Sequence, residues 1–578
     1  MPRQPALFGI TFARHLWRLT RIYWKSPDAK WGALLLAGAI SLELGTVYAN
    51  TLIANAQRAI FDALETKQPS ALVTAIGLFF GAALSYVLAA TGRIYVRQIL
   101  EIRWREHLTD WFLGRWMAPQ AYCQAERHRN ELDNPDQRVA EDIRDFVGSA
   151  LGLSLSLLSA VVTLVTFGGL LWTLSRKWPV QAFGTHVHIP GLMMWVAVGT
   201  SLLSMVAAHF VGRRLVQINF DKLRVEADFR YGLMRFRDHV ERVALSRGET
   251  VERLGSESRF EQVVRNWWRL IGAQRNLSFV TTGVANVNDI VPVLVAAPAY
   301  FAGLITLGNI VQVRFAYGQV AGGLSWFVNA YQEIARWRAN VERLCTFVHV
   351  IEAAERELAT SDIHRTTSDR ESLELEDLRI ESPDGRLLLD HVNATVAQGD
   401  RVAILGPSGT GKTMLMRAIV GIWPFGSGRI DVPSRPRMMF LPQRPYMPTG
   451  SLRAIVSFPA AEGSFRDEKI IDLLRLVGLG HLESRLDEAD QWEQQLSPHE
   501  QQRIGFVRVL LHEPEWVFLD KATSALDEDM EKHFYELLEE RLPHATIVSV
   551  AHRPEIAAYH TRRWTLVPGA DGASLQAA

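Results

Sequence analysis

The sequence predicts an α-helical membrane domain of six transmembrane helices, fused to an α/β domain that carries a phosphate-binding loop. Three observations indicate this fold class. Six long apolar stretches lie between residues 31 and 331, and short β-rich runs alternate with helical runs from residue 372 onward. A Gly-x-x-x-x-Gly-Lys-Thr segment begins at Gly406, between a strand and a helix. Such alternation is typical of a mostly parallel sheet with crossover helices.

Length and composition exclude several classes of protein. At 578 residues the chain is too long for one compact domain. Its 62 basic and 62 acidic residues balance, so no overall charge indicates nucleic acid as a partner. Two cysteines, Cys123 and Cys345, exclude a disulfide scaffold and a cysteine-rich metal site. We therefore exclude a small secreted protein, a largely disordered protein and a DNA-binding module.

Each apolar stretch is long enough to cross a bilayer as a helix, for which about 20 residues suffice. The stretches are residues 31–55, 71–91, 149–173, 191–212, 278–303 and 309–331, and the last two contain several polar residues. A soluble helical bundle would need several buried helices in a row with almost no polar face. We therefore favour a membrane domain in contact with the lipid bilayer.

The connections between these stretches alternate in length and charge. Residues 92–148 and 213–277 are long, rich in arginine and helix-favouring, whereas the other connections are short and carry few positive charges. Positively charged connections tend to remain in the cytoplasm. We therefore expect both long connections and both chain ends in the cytoplasm, with helical hairpins that reach beyond the membrane surface.

The remaining segments set the predicted domain boundaries. Residues 1–30 mix Arg with Trp, Leu and Ile at helical spacing, which predicts an amphipathic elbow helix at the membrane interface and no removable signal peptide. Residues 31–350 are predicted to form the six-helix membrane domain with its long cytoplasmic extensions. Residues 351–371 are polar and are predicted to be a linker, and residues 372–578 form the α/β domain.

The clearest chemical signal is the phosphate loop. It consists of Gly406, Pro407, Ser408, Gly409, Thr410, Gly411, Lys412 and Thr413. The loop follows a short strand and opens a helix, which is the context that phosphate binding requires. Its glycines let backbone N–H groups turn toward the phosphates. We expect Lys412 to reach the β- and γ-phosphates of a nucleotide and Thr413 to ligate Mg²⁺.

Two later segments have a possible role at the same site. Residues 516–520 form an apolar strand that ends in Asp520, where a carboxylate would hold the Mg²⁺ of a bound nucleotide through water. Ser497 and Glu500 form an S-x-x-E capping box, with Pro498 at the first helical position. Taken alone, the second segment indicates only a well-capped helix.

The order of these segments along the chain resembles that of the ATP-binding cassette family. The matching segments after the phosphate loop are Leu-Pro-Gln-Arg-Pro around Gln443, the Leu-Ser-x-x-Glu-Gln signature, the strand ending at Asp520, Ser-Ala-Leu-Asp ending at Asp527, and His552. The resemblance covers the whole predicted cassette and implies that two cassettes enclose two ATP molecules between them.

The same resemblance implies a role for each matching residue. Each phosphate loop would face the signature helix of the other copy, which supplies Ser497, His499 and Glu500. Gln443 would contact Mg²⁺ and sense the membrane domain, Asp527 would couple the two sites, and His552 would contact the γ-phosphate.

Three positions depart from the family's pattern. Lys521 occupies the catalytic position at which the family has a glutamate that polarises the attacking water, and a protonated amine cannot accept a proton. His499 replaces the second glycine of the signature, although its backbone N–H remains available for the γ-phosphate. The position near Ser382 lacks the aromatic residue that stacks on adenine. We therefore expect ATP binding with impaired hydrolysis.

The membrane half resembles a narrower group. The segments that carry this resemblance look like SbmA/BacA-type peptide uptake proteins, most closely the bacterial branch fused to a cassette. They are residues 17–64, residues 134–138 with Glu141 and Asp142, residues 226–231 with Glu241, and residues 247–249. Peroxisomal fatty-acyl transporters of subfamily D share parts of this pattern. The resemblance implies an exporter-type fold and a homodimer in a bacterial inner membrane. Its expected activity is the ATP-driven movement of peptides or other bulky hydrophilic compounds, in the inward direction.

Two alternatives remain open. One is a transporter driven by a proton gradient with a regulatory cassette, in which Glu43 and Asp289 carry protons; the other is a fatty-acyl or lipid exporter. Polar residues inside membrane spans face a partner or a water-filled cavity because lipid exposure is costly. The candidates are Glu43, Asn50, Asn286, Asn288, Asp289, Arg314, Gln319 and Asn329. An interhelical pair explains each of them as well as a substrate contact does.

Overall fold

The computed structural model describes residues 10–118, 122–123, 134–176, 178–182, 185–368, 371–433, 438–550, 554–569 and 572–577. The chain divides into two compact units. The first contains Met1–Leu113 and Asn134–Phe347, and the second contains Gly114–Asp133 and Val348–Ala578. The second unit therefore begins before the predicted linker and includes part of the first long connection.

The first unit consists mainly of long helices. They are α1 (Ile10–Trp24), α2 (Ala29–Glu65), α3 (Pro69–Trp116), α4 (Pro135–Leu174), α5 (Leu192–Asp238), α6 (Val240–Leu245), α7 (Glu249–Phe301) and α8 (Leu307–Ala359). A hairpin of β1 (Pro179–Ala182) and β2 (Thr185–His188) lies between α4 and α5. The 48 residues of α3 give a length of about 70 Å, more than twice the ~30 Å hydrocarbon core of a bilayer.

Five of these helices, α2, α3, α4, α5 and α7, are long and apolar enough to cross a membrane. They contain the first five predicted spans, except for residue 191 and residues 302–303. The sixth predicted span lies in α8. The described part of α8 is not among the five helices that are apolar enough to cross a membrane. The polar residues Asn309, Gln312 and Arg314 lie near its start. The chain is thus a multi-pass membrane protein with several apolar helices.

The apolar face of α1 packs against other helices of its own unit. Phe12 and Tyr23 are buried, whereas Trp17 is exposed. The ring of Phe12 lies edge-on to Trp337 at 5.7 Å between centroids, and Tyr23 stacks on Trp104 at 5.6 Å. The predicted amphipathic helix therefore exists over residues 10–24, and its place at the membrane interface stays a prediction.

Helices α5 and α7 pack against each other along their length. The side-chain amide of Asn266 in α7 donates a hydrogen bond to the carbonyl of Ile218 in α5 at 3.2 Å. Large apolar side chains on their other faces, such as Phe210 and Phe279, are exposed in the single chain. An apolar surface of this extent requires lipid or another chain to cover it.

The second unit is an α/β domain. Its strands are β3 (Asp362–Ser368), β4 (Ser372–Glu381), β5 (Leu387–Ala397), β6 (Arg401–Leu405), β7 (Gly426–Pro433), β8 (Met438–Leu441), β9 (Gly450–Ser451), β10 (Ala489–Asp490), β11 (Trp516–Asp520), β12 (Thr546–Val550), β13 (Arg562–Gly569) and β14 (Gly572–Ala577). Its helices are α9 (Lys412–Val420), α10 (Leu452–Ser457), α11 (Asp467–Leu476), α12 (Trp492–Gln495), α13 (Pro498–His512) and α14 (Glu528–Arg541).

Ten strands form one sheet in the order β3-β7-β4-β5-β14-β13-β6-β12-β11-β8, while β9 pairs with β10. Strands β6, β12, β11 and β8 are neighbours and parallel. Nearly every residue of β11 and β12 is buried, as expected for central strands covered on both faces. The predicted parallel sheet is therefore present.

The predicted linker is wrong at residues 362–368, which form strand β3. This strand pairs in parallel with β7 at the edge of the sheet. An edge strand needs few apolar residues, and here Ile363 is buried while His364 and Arg365 are exposed. Helix α8 also continues to Ala359, so only short segments on either side of β3 remain as connections.

Candidate nucleotide-binding site

The candidate site lies at one edge of the parallel part of the sheet. The phosphate loop follows β6, Asp520 ends β11, and Gln443 follows β8. Because these strands are parallel neighbours, their carboxyl ends meet at the same edge. Ligands of open α/β sheets bind in the crevice outside the carboxyl ends of the strands. His552, which follows β12, lies outside the described residues.

The backbone of the phosphate loop depends on glycine at two positions. Gly406 has φ +140°, and a Cβ atom there would lie 2.6 Å from the carbonyl oxygen of Leu566. Gly409 has φ +88°, a value that residues with side chains rarely adopt. The hydroxyl of Thr410 donates to the carbonyl of Pro407 at 2.9 Å and holds the turn.

Lys412 lies at the centre of this loop and is only 5% exposed. Its ammonium group donates to the carbonyls of Gly406 at 2.6 Å and Pro407 at 2.7 Å. Burial lowers the pKa of Lys412, and the charge of Lys521 lowers it further, against the opposing effect of Asp520. A buried ammonium beside inward-turned N–H groups attracts a multiply charged anion.

Thr413 and Asp520 form the candidate magnesium site. The hydroxyl of Thr413 donates to the Asp520 carboxylate at 3.2 Å. A hydroxyl and a carboxylate are hard oxygen ligands of the kind Mg²⁺ prefers, and this ion is usually held by few protein groups plus waters and substrate phosphates. The described residues contain no cluster of three or more His, Cys, Asp or Glu side chains suited to a metal.

A cavity of about 360 Å³ adjoins the loop. Besides Lys412 and Thr413, its walls include Arg386, Trp423 and Lys521. Arg386 and Trp423 are not among the site residues predicted from the sequence. Trp423 follows α9, far along the chain from Ser382, so no local pattern marked it, although Ser382 lines the same cavity. The cavity therefore contains an aromatic side chain, supplied by a different segment from the family's usual one.

Lys521 has a left-handed backbone conformation, with φ +56°. Its N–H donates to the carbonyl of Val550 at 3.2 Å, and its side chain lines the cavity beside Lys412. Left-handed non-glycine residues are uncommon and cluster at functional sites. The structure thus places a cation where the family has a carboxylate.

The signature segment forms the predicted capping box at the start of α13. The Ser497 hydroxyl accepts from the N–H of Glu500, and the Glu500 carboxylate accepts from the N–H of Ser497 at 2.9 Å. Burial raises the pKa of Glu500, but its hydrogen bonds with Ser497 and the neighbouring His481 lower this pKa by more, so the net shift is downward. Ser497 and His499 are exposed. Within the described residues, the cavity walls include no part of this helix.

Gln502 connects helix α13 with the segment of Gln443 and the segment of Ser524 and Ala525. It is not among the site residues predicted from the sequence. It is buried, and its amide donates to the carbonyl of Gln443 at 2.9 Å and to the hydroxyl of Ser524 at 3.3 Å. Its amide oxygen accepts from the N–H of Ala525 at 3.1 Å. Gln443 itself is exposed, and Asp527 caps α14 by accepting from the N–H of Met530 at 2.8 Å.

We predict that replacing Gln502 by leucine lowers the free energy of unfolding of the cassette unit by about 1–3 kcal/mol, because buried polar partners lose their hydrogen bonds. Thermal unfolding of the purified chain would show a lower midpoint. The exposed Gln494, replaced by leucine, is the control. Equal midpoints for both variants would contradict this role of Gln502.

Three of the polar residues predicted inside the spans, Glu43, Asp289 and Arg314, form ion pairs between helices. Arg93 of α3 donates to both oxygens of Glu43 in α2 at 2.8 Å. Arg314 of α8 likewise donates hydrogen bonds to both carboxylate oxygens of Asp289 in α7, at 2.7 to 3.0 Å. Asn288 donates to Ser204 of α5. These contacts are interhelical pairs.

The other candidates in the spans are placed differently. Asn286 donates to the carbonyl of Thr282 in its own helix, and Gln319 lines a cavity of the membrane unit. Asn50 is partly exposed. The side chain of Asn329 lies outside the described residues.

Known protein families match both halves of the chain. Residues 19–301 match the family described as ABC transporter transmembrane region 2, and residues 389–524 match the family described as ABC transporter. The inner membrane ABC transporter ATP-binding protein YddA of Escherichia coli is 31% identical over 96% of this chain and 97% of its own length. The chloroplastic ABC transporter D family member 2 of Arabidopsis thaliana is 29% identical over 96% of this chain and 86% of its own length.

A solved structure shows the same fold. A bacterial Atm1-family ABC exporter with ATP bound aligns with a TM-score of 0.67 and 18% identity, over 93% of each chain. The predicted resemblance to the ATP-binding cassette family and the predicted fold class are confirmed. The chain therefore belongs to the ABC transporter family, as a half-transporter in which one membrane domain is fused to one ATP-binding domain.

Proposed function

We propose that this chain works as a homodimer in a bacterial inner membrane and uses ATP to move peptides or other bulky hydrophilic compounds inward. The observation that carries the proposal is the phosphate loop, with buried Lys412 at its centre and the Thr413–Asp520 pair beside it. The signature helix stands outside the cavity of its own chain. A second copy would supply Ser497, His499 and Glu500 to complete the site.

Different residues of the site would bind the phosphates and the Mg²⁺ of the nucleotide. Lys412 would exchange its two carbonyl acceptors for the β- and γ-phosphates. Thr413, Asp520 and Gln443 would hold Mg²⁺, which neutralises phosphate charge when bound. Gln502 fixes the backbone of Gln443 and of the segment ahead of Asp527, so binding at one point would be transmitted to the others.

Hydrolysis would be slow because the cavity presents Lys521 in place of a general base. A positioned base typically contributes about 10²–10⁴-fold in rate. The proton-driven alternative starts from the same observation and treats the cassette as regulatory. Against it, Glu43 and Asp289 are each engaged by an arginine in an interhelical ion pair.

The substrate class is proposed from the resemblance of the membrane half to peptide uptake proteins. YddA is described as an inner membrane transporter, and the membrane half resembles peptide uptake proteins. A fatty-acyl or lipid exporter remains the alternative, on the partial resemblance of the sequence to peroxisomal fatty-acyl transporters.

Flux through proteoliposomes tests the proposal. A labelled peptide is trapped inside vesicles whose cassettes face outward, and Mg-ATP is added outside. We expect ATP-dependent release of the peptide, faster for Lys521→Glu than for the parent chain. Release driven by a pH gradient without ATP would favour the proton-driven alternative. ATP-driven accumulation inside would overturn the inward direction.

The predicted topology can be tested with the native thiols. Cys345 is buried, and burial raises its pKa to about 11, so its thiol should stay unreactive. Cys123 should be protected from a membrane-impermeant maleimide in intact cells and should react after permeabilisation. A Lys67→Cys variant, in the short turn between α2 and α3, should react in intact cells. Rapid labelling of Cys123 in intact cells would show that the topology is the reverse of the predicted one.

A further inference from the structure

We propose that a cavity in the membrane unit binds an anionic group, a carboxylate or phosphate, of the transported compound. The cavity has a volume of about 850 Å³ and lies among α2, α3, α4 and α8. The inference rests on the proposed transport function and deepens it, since it names a charge that the substrate carries.

The charged residues among the described walls are unbalanced. Four arginines face two glutamates there: Arg93, Arg97, Arg105 and Arg144 against Glu43 and Glu101. Arginine presents several N–H donors in a planar fork that matches carboxylate and phosphate oxygens. The walls therefore attract an anion.

The contacts of each arginine show which ones can bind a ligand. Arg93 is held by both oxygens of Glu43, and Arg144 donates to Asp145 at 2.8 Å. Arg97 approaches Glu101 only to 3.8 Å, too far for a hydrogen bond. Its Nε is buried and finds no hydrogen-bond partner in the described part of the chain. A buried donor without a partner is costly and gains from an acceptor.

Arg105 is the second available group. It donates to the backbone carbonyl of Ala140 at 3.2 Å, a contact that leaves its charge without a carboxylate partner among the described residues. Arg97 and Arg105 stand two helical turns apart on α3, the spacing that places side chains on one face.

Glycines keep the space open in front of these side chains. A Cβ atom on Gly152 of α4 would contact the guanidinium of Arg97 at 3.6 Å. On the opposite wall, Cβ atoms on Gly318 and Gly322 of α8 would meet nothing within 4 Å. Both arginines follow the predicted second span, so under the proposed topology they lie on the cytoplasmic side of the cavity.

The test uses the full chain in nanodiscs of phosphatidylcholine and a coumarin-labelled tetraglutamate peptide. We expect this peptide to bind at least about tenfold more tightly than the tetraglutamine analogue, and Arg97→Gln and Arg105→Gln each to weaken its binding about tenfold or more, since each removes a charged hydrogen bond. Arg97→Lys, which keeps the charge, should retain more binding than Arg97→Gln. Arg253→Gln, an exposed arginine of α7 paired with Glu257, should have no effect.

A second arm distinguishes a soluble anion from a lipid headgroup. Phosphatidylglycerol is added to the nanodiscs, and the lipid retained by the re-purified protein is quantified. Retention that falls in Arg97→Gln and Arg105→Gln, without peptide binding, would support the anion site and assign it to a lipid headgroup. If neither peptide binding nor lipid retention depends on these arginines, the proposal is overturned.

ATP binding is measured on every variant in the same samples. Unchanged ATP binding shows that the chain is folded. If the parent chain shows ATP-driven flux but neither prefers the tetraglutamate peptide nor retains phosphatidylglycerol through these arginines, the anion site alone is overturned. Absence of ATP-driven flux in the parent would overturn the proposed function itself.

Discussion

Replacing Lys412 by alanine should weaken ATP binding by about two orders of magnitude or more, because it removes a charged donor that would contact two phosphates, and each such bond is worth about 1.5–3 kcal/mol. The variant also loses the bonds that hold the carbonyls of Gly406 and Pro407. A fluorescent-nucleotide titration of the purified chain with Mg²⁺ measures the effect.

The matched control is Lys469→Ala. Lys469 is also an ammonium in the second unit, but it forms a surface ion pair with Glu513, and such pairs contribute little. We expect its ATP affinity to equal that of the parent. An unchanged affinity of Lys412→Ala for ATP would show that the nucleotide does not bind at this loop.

Replacing Lys521 by glutamate should raise ATP turnover at least about tenfold, within the range of a positioned general base. Position 521 lines the cavity next to Lys412 and Thr413, so a carboxylate there would stand near the γ-phosphate and could orient the attacking water. In the parent, the Lys521 ammonium would pair with the γ-phosphate of the ground state, which does not lower the barrier.

Lys521→Gln separates these two effects. It removes the cation without supplying a base, so we expect much less gain than from glutamate. If the parent chain already hydrolyses ATP as fast as Lys521→Glu, another group acts as the base, and His552 is the first candidate by motif.

The sequence was sufficient to predict the parts of the site that are local. The phosphate loop, the strand that ends at Asp520 and the capping box of Ser497 and Glu500 are each defined within a few residues, by glycine, by burial or by helix capping. The structure has all three segments where these patterns predict them. The roles of their side chains toward ATP remain predictions.

The parts that sequence reasoning missed depend on distant segments. Strand β3 is polar and is held by pairing with β7, more than sixty positions away. In the sequence Gln502 is one polar residue of a capped helix, and only the fold brings the segments of Gln443 and Ala525 to it. Trp423, which follows the C-terminal end of α9, likewise lines the nucleotide cavity. No local pattern encodes such contacts.

We propose that the chain binds ATP between two copies of itself and hydrolyses it only slowly. The most direct measurement incubates the purified parent chain with radiolabelled Mg-ATP, removes free nucleotide rapidly, and identifies what stays bound to a particle of known mass. We expect retained ATP on a dimer, with about one nucleotide per phosphate loop, and mostly ADP or no nucleotide on Lys521→Glu. Retained ADP on the parent, or no retained nucleotide at all, would contradict it.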